Sequence, residues 1–415
     1  MKSFITYDSQ SDFSIHNIPF GVAILQDDSV VCVTRVGDTV IDLAYLYEKG
    51  YFDQFELEEN LFEAFGLNEF ISLGKEITVP FREYLQQLFL EDSELSKDEE
   101  TQTEAFHFID TVFMQLPVHI PNYTDFYSSI EHATNVGKMF RDPENALLPN
   151  WRHIPVGYHG RASSIVVSGT PIHRPSGQSK PKDSDVPVFG PSQRLDFELE
   201  VAFITNAYTE LGETISTADA EDNIFGLVLF NDWSARDIQQ WEYVPLGPFL
   251  AKNFGSSISP WIVTLEALAP FRTAGPKQEP EVFPYLQFEG NKNIDLKLQT
   301  TLKPESGVEN VICNSNFKYM YWNMSQQLAH HTINGCNIEV GDMYASGTIS
   351  GHTEDSFGSM LELTWGGTKP LTLSDGTERK FINDNDTVIM RGWCENGEIR
   401  VGFGEVEGKI LPAKA

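Results

Sequence analysis

Asp196-Phe197-Glu198-Leu199-Glu200-Val201 alternates acidic and apolar residues without a break. A strand sends successive side chains to opposite faces. Glu198 and Glu200 therefore project side by side from one face, while Phe197, Leu199 and Val201 enter a core on the other. Adjacent carboxylates on one face repel each other unless water or a cation screens them. A solvated edge strand is the plain reading of such alternation, but a second stretch points elsewhere. Phe225-Gly226-Leu227-Val228-Leu229-Phe230 reads as a buried strand that runs straight into Asn231-Asp232-Trp233-Ser234-Ala235-Arg236. A carboxylate at the tip of a core strand, followed by Arg236, Gln239, Gln240 and Tyr243, marks a site rather than a surface. Oxygen-only ligands from strand positions suit a hard divalent cation, Ca2+ or Mg2+.

Around these stretches the chain divides into two regions of different character. Phe20–Leu25, Val30–Arg35 and Thr39–Leu43 are β-like pieces separated by turns at Asp27-Asp28 and Gly37-Asp38, which suits a small sheet or barrel. Phe81, Leu85, Leu88 and Phe89 follow at helical spacing, and Glu91–Glu100 is a charged turn or helix face. Pro117 and Pro121 stiffen an extended connector and place a boundary there, dividing residues 1–117 from residues 118–415. Beyond residue 150 short β runs dominate: Ser164–Ser168, Val201–Ile204, Trp261–Thr264, Leu296–Leu302, Met360–Trp365, Thr387–Met390 and Ile399–Phe403. Helical patterns are confined to 127–140, 234–243 and about 318–333. The expected fold is mainly β with some α, its large domain mainly antiparallel.

Composition narrows the function. Among 415 residues, 60 acidic side chains against 29 basic give a formal charge of −31, which argues against nucleic acid or anionic lipid as the main partner. Cys32, Cys313, Cys336 and Cys394 lie far apart without zinc-like spacing and read as reduced core thiols of a cytosolic protein. The N-terminus lacks the pattern of a signal or transit peptide, and no apolar run is long enough to span a membrane. There is no G-x-S-x-G, no H-E-x-x-H and no G-x-G-x-x-G after a strand, which disfavours serine hydrolysis, zinc peptidase and nicotinamide chemistry.

Asp125-Phe126-Tyr127 and His132 to Arg141 crowd reactive groups into one segment. Asp125 precedes an expected helix with apolar positions Phe126, Ile130, Ala133 and Phe140, and His132, seven residues on, shares a face with it in that reading. A neutral imidazole near a metal site is suited to deprotonating water. Arg236 and Gln239 fall on one helix face, and Lys252 lies in the Gly-bracketed loop Gly247–Gly255. Glu362, expected inside the apolar strand Met360–Trp365, needs a polar partner and could orient His132 as a third member orients the base of a triad. The adjacent His330 and His331 lack ligand spacing and read as core or interface.

At these residues the sequence resembles the fumarylacetoacetate hydrolase family. The likeness runs from Ser11–Val22 through Pro149–Arg161 to Ser346–Gly351 and Gly358–Leu363, and the segments around Glu198 and Asp232 are shared with a wider superfamily of acylpyruvate hydrolases, decarboxylases and isomerases. The resemblance implies an N-terminal SH3-like barrel domain, a C-terminal β-roll catalytic domain, a homodimer and a cytosolic enzyme of tyrosine and phenylalanine catabolism. The implied reaction is metal-dependent hydrolysis of a carbon–carbon bond in fumarylacetoacetate, a dianionic β-diketo acid. Asp125, Glu198, Glu200 and Asp232 would be ligands to Ca2+ or Mg2+, with further contacts from Lys252 and Ser256. Ser256 is a departure, since the family usually has Thr there. His132 would be the base, oriented by Glu362; Arg236, Gln239 and Lys252 would stabilise the oxyanion. Tyr127, Arg141, Tyr158, Tyr243 and Thr348 would hold substrate. Hydrolysis or decarboxylation of oxaloacetate or acylpyruvates is the competing enzymatic reading, and an acidic Ca2+-binding scaffold the non-enzymatic one.

Overall fold

Apolar alternation broken by left-handed residues builds the first sheet. Phe20–Ile24, Val30–Val36 and Thr39–Asp42 form an antiparallel meander with Val22 opposite Cys32. Asp28 (φ 69°) and Gly37 (φ 60°) reverse the chain between them. Phe106–Phe108 and Phe113–Met114, too short to show a period in the sequence, complete five strands. The structure is a computed structural model and describes residues 1–414.

The helix Lys75–Leu88 lays Phe81, Leu85 and Leu88 against this sheet, as its spacing predicts. Phe81 sits in an aromatic cluster, its ring 4.7 Å from Phe52, 5.0 Å from Phe70 and 5.2 Å from Phe62. The cluster continues onto the later part of the chain, where Phe20 packs 5.6 Å from Phe225. Phe20 and Ile262 also exchange backbone hydrogen bonds of 3.0 and 2.8 Å. The N-terminal sheet thus buttresses Ile224–Asp232, the strand whose tip carries Asp232.

That strand lies within an eight-stranded sheet. Its path runs Gly157–His159, Tyr123–Phe126, Met343–Ala345, Leu199–Thr205, Ile224–Asp232, Ser256–Ile258 and Ile165–Val167, with Val263–Thr264 paired beside Ile224–Asp232. A second, five-stranded sheet holds Asn310–Asn316, Lys297–Lys303, Thr387–Glu395, Arg400–Leu411 and Ile172–His173. Pairing is mainly antiparallel, and three short pairs are parallel: Met343–Ala345 with Tyr123–Phe126, Ser256–Ile258 with Ile165–Val167, and Arg400–Leu411 with Ile172–His173. The apolar side chains of the two sheets share one core that includes Leu229, Trp233, Leu298 and Met390. Close approach depends on Gly408, where a Cβ would lie 2.5 Å from Trp233. The fold is mainly β with some α, as expected.

Several local expectations change. Met360–Trp365 is not a strand: Met360–Leu363 is a helical turn capped by Ser359, and positive φ at Trp365 (49°) and Gly366 (68°) ends it. The helix expected over 127–140 begins at Ile130, because the Ser129 hydroxyl accepts the His132 amide and Tyr123–Phe126 is committed to the sheet. Asp125 and His132 therefore share no helix face, and Phe140 at the helix end is exposed. The region 318–333 divides into the turn Phe317–Tyr319 and the helix Met324–Thr332, which starts at an Asn323–Gln326 capping box. No helix among the described residues is long and apolar enough to cross a membrane. All four cysteines are free; Cys32, Cys313 and Cys394 are buried as core thiols, but Cys336, expected in the core, is only half-buried.

Candidate active site

Strand register brings together carboxylates that are far apart in sequence. Ala345 pairs with Asp125 on one side and Ala202 on the other, which sets Tyr123–Phe126 two strands from Leu199–Thr205. Leu199 pairs with Asn231, so Glu198 and Glu200 flank the tip of the strand bearing Asp232. Asn231 reinforces this by accepting the Glu198 amide at 3.2 Å. Asp125, Glu198, Glu200 and Asp232 are all buried, and each offers an oxygen within 4.8 Å of the others. Both alternating glutamates therefore reach one centre, although neither face of their strand meets solvent.

Four buried carboxylates this close cannot all remain ionised unaided. Burial, then Asp232, push Asp125 well above the usual carboxylate range. Burial, then Asp125 and Glu198, do the same to Glu200. Asp125 Oδ1 and Glu200 Oε1 are buried without a hydrogen-bond partner among the described residues. An all-oxygen donor set with orphaned acceptors fits a hard divalent cation. Glu198 behaves differently: burial would raise it, but Lys252 and Arg236, with His132 behind them, outweigh that and hold it low.

Lys252, Ser256 and Tyr158 converge on Asp232. Lys252 Nζ donates to Asp232 at 2.7 Å and also to Glu198, the Ser256 hydroxyl donates at 3.1 Å, and the Tyr158 hydroxyl at 2.9 Å. Burial would lower the Lys252 ammonium, but Asp232 and Glu198 overcome it and keep it charged. A charged ammonium has no lone pair to give a metal, so its effect here is to neutralise two of the carboxylates. The loop carrying Lys252 is fixed by Glu242, whose Oε1 accepts the amides of Phe249 (2.9 Å) and Ala251 (2.8 Å).

The helix Ile130–Phe140 presents His132, with its Nδ1 2.6 Å from Glu362 Oε2. The same oxygen accepts the hydroxyls of Ser350 (2.9 Å) and Ser359 (3.0 Å), and Oε1 accepts the Asn135 amide at 2.9 Å. Burial would raise Glu362, yet His132 and these donors bring it below its ordinary value. Glu362 thus has the polar partners its burial requires, from a helical turn rather than a strand. With Nδ1 occupied, Nε2 is the imidazole nitrogen left for other chemistry. Tyr127 packs edge-on to the imidazole at 5.2 Å.

Arg236 opens the helix Arg236–Glu242. Its Nε donates to Asp196 at 2.8 Å, and its Nη1 donates to Gln239 Oε1 at 3.2 Å and lies in an ion pair 2.8 Å from Glu198. Its Nη2 is buried without a partner among the described residues. Burial would lower the guanidinium, but Glu198 and Asp196 hold it above its ordinary value. Thr348 is buried beside Gly358, where a Cβ would lie 2.9 Å from its methyl carbon. Two predicted residues stand apart. Arg141 is exposed, with Nε and Nη2 on the Ala146 carbonyl at 3.1 and 2.6 Å, and Tyr243 is 52% exposed. Asn135, Ser350, Ser359 and Glu242 act as supports that no local sequence pattern assigns. His330 and His331 pack against Tyr285 and Tyr344, 6.1 and 4.9 Å between ring centres.

An imidazole oriented by a carboxylate, beside a buried oxygen-only cluster and a guanidinium with a free donor, is the equipment of a hydrolase. The comparisons with known proteins make the class specific. Residues 122–410 match the fumarylacetoacetate (FAA) hydrolase C-terminal family and residues 16–117 the fumarylacetoacetase N-terminal family. Fumarylacetoacetase of Dictyostelium discoideum is 53% identical over 421 residues, covering 100% of this chain and 98% of that protein. The Homo sapiens fumarylacetoacetase is 50% identical over 414 residues, 99% of each chain. The chain belongs to the fumarylacetoacetase family. A solved fumarylacetoacetate hydrolase from psychrophilic Exiguobacterium antarcticum superimposes with a TM-score of 0.53 at 18% identity, covering 96% of this chain and 100% of that one, a likeness of fold alone.

Proposed function

We propose that this chain hydrolyses a carbon–carbon bond of fumarylacetoacetate to give fumarate and acetoacetate, the last step of tyrosine and phenylalanine degradation. The observation that carries this reading is the 2.6 Å contact between His132 and Glu362 beside the four-carboxylate cluster. We assign residues 1–117 to an N-terminal SH3-like barrel domain and residues 118–415 to the catalytic domain.

In this mechanism Asp125, Glu198, Glu200 and Asp232 hold a divalent cation, Ca2+ by ligand count or Mg2+ by abundance, with Ser256 contributing through Asp232. When bound, that cation supplies charge to polarise the diketone oxygens. His132 Nε2 takes a proton from water, and the hydroxide attacks the carbonyl on the fumaryl side. Glu362 holds the imidazole in the tautomer with a proton on Nδ1 and stabilises the imidazolium that forms. The unpaired Nη2 of Arg236, with the amide of Gln239 and the charge of Lys252, receives the developing oxyanion; one such donor is typically worth about 3–4 kcal/mol. The carbon–carbon bond then breaks, the electron pair leaves on acetoacetate as its enolate, and the proton held by the His132 imidazolium returns to the leaving carbon, restoring the neutral base. Tyr127, Tyr158 and Thr348 line the substrate position, while Arg141 and Tyr243 reach the dianion from the exposed rim.

We further propose a cytosolic homodimer. Free cysteines support the reduced compartment. The exposed apolar run Val244, Leu246, Phe249 and Leu250 beside Tyr243 supports burial against a second copy. The test of function is loss of the near-ultraviolet absorbance of fumarylacetoacetate on adding the protein, abolished by EDTA and by His132→Ala. Turnover surviving in His132→Ala would remove the assigned base. Faster reaction with oxaloacetate or an acylpyruvate would replace the substrate.

A further inference from the structure

Asp196 is fully buried and spends both carboxylate oxygens on groups from two different parts of the site. Oδ2 accepts Arg236 Nε at 2.8 Å and the Leu361 amide at 3.0 Å, and Oδ1 accepts the Met360 amide at 2.6 Å. Met360 and Leu361 open the turn that carries Glu362. The first amides of any helix lack partners within the helix, and a turn of four residues cannot sustain itself. Ser359 caps one of these amides and Asp196 caps two, so the conformation that aims Glu362 at His132 depends on Asp196. Its backbone is equally committed: Asp196 pairs with Ser234, and the Arg236 amide donates to the Arg194 carbonyl at 3.0 Å.

We propose that Asp196 is a positioning residue for the reaction: its one carboxylate ties the guanidinium of Arg236 to the turn bearing Glu362, fixing the separation between oxyanion donor and general base. An ion pair serving Arg236 alone would leave the backbone amides of Met360 and Leu361 to other acceptors. Here two of the three bonds go to that turn. The inference rests on the roles assigned above to Arg236, His132 and Glu362.

The test is Asp196→Asn, which keeps shape but supplies a donor where two oxygens accept. Whichever way the amide turns, its NH2 faces an N–H of Arg236 and Leu361, or of Met360. The expected result is a fall in kcat of about 100-fold, the size of a misplaced donor or base, with KM changed less than about threefold. Ca2+ binding by calorimetry stays within about threefold. In Arg236→Gln and in Glu362→Gln backgrounds the same change costs less than about tenfold, because the linkage is already broken. A kcat within about threefold of the parent, or full multiplicative loss in both backgrounds, overturns the inference. Should Asp196→Asn fail to fold, Arg236→Gln decides: the downfield proton of the short His132–Glu362 bond shifts if Asp196 transmits, and an unmoved resonance overturns it. Full turnover in Arg236→Gln and Glu362→Gln would sink the assigned roles and the inference together. Loss in those two with full turnover in Asp196→Asn sinks the inference alone.

Discussion

Loading the carboxylate cluster with a divalent cation should release protons, and the release should fall when one carboxylate is removed. Four acidic side chains meet within 4.8 Å, with Lys252 returning one positive charge between Glu198 and Asp232. Arg236 is already shared with Asp196. At that spacing two like charges cost about 3.5 kcal/mol at an effective dielectric constant of about 20. Lys252 and Arg236 relieve Glu198, so the burden falls on Asp125, raised by burial and then Asp232, and on Glu200, raised by burial and then Asp125 and Glu198. Each therefore carries a proton in the metal-free protein over a range where an ordinary carboxylate has none. A cation must displace those protons, so up to about two leave per ion and affinity rises with pH.

The assay is calorimetric titration of Ca2+ into metal-free protein, in buffers of differing ionisation enthalpy, from about pH 5 to 8. In Glu200→Gln the proton count should fall by about one, because the amide has none to lose. Stability gives an independent reading of the same charges. Their folded values are raised, so the metal-free fold keeps their full contribution below the ordinary carboxylate range and loses it as pH climbs through the raised values. Added Ca2+ should then raise Tm most at the alkaline end, by the equivalent of about 2.7 kcal/mol at a hundred times Kd. Zero proton release across that range, or equal release from parent and Glu200→Gln, would refute the reasoning.

Replacing Glu362 by Gln keeps an acceptor for His132 but removes the charge that stabilises imidazolium. Turnover should fall by about 1,000-fold or more while Tm, read by circular dichroism, falls by only a few degrees. Gly408→Ala should destabilise the fold by about 1–3 kcal/mol in urea titration, since its Cβ would lie 2.5 Å from the Trp233 ring in a core that cannot yield freely. Phe81→Ala should cost about 3–5 kcal/mol by the same measurement, because the ring is fully buried among Phe52, Phe62 and Phe70. Leu246→Asp, at a side chain 96% exposed, should leave monomer stability unchanged and shift sedimentation toward monomer if this run meets a second copy.

The parts legible in the sequence are those where one local period carries the information. Alternation puts Glu198 and Glu200 on a shared face, and spacing puts Phe81, Leu85 and Leu88 on a helix face; the three apolar side chains are buried as that spacing requires, while the burial of both glutamates is not written in the alternation. Asp232 was legible for a related reason, as a polar residue ending an unbroken apolar run. Met360–Trp365 failed because its apolar content fits a strand and a buried turn equally well. The deciding acceptors, Ser359 and Asp196, act through backbone amides, and Asp196 is more than 160 residues away. Asp125 precedes a helix as its sequence context suggests but shares no helical face with His132, since Tyr123–Phe126 takes its conformation from pairing with Met343–Ala345.

The same distinction explains how the site is supported. Its carboxylates come from Tyr123–Phe126, from Glu198 just before and Glu200 within Leu199–Thr205, and from the tip of Ile224–Asp232, and hydrogen-bonded strand register fixes their spacing. Register is a stiff device, because a slip of one residue in any of these strands would turn its carboxylates to the opposite face. The imidazole and its Glu362 partner instead ride on a helix and a four-residue turn, held to each other by side-chain bonds from Asn135, Ser350 and Ser359, with Asp196 capping the turn. Single side-chain substitutions at those supports can move the base while leaving the carboxylate cluster intact. Ion binding and turnover should therefore separate under mutation: changes within the strands impair both, and changes to the turn impair turnover alone.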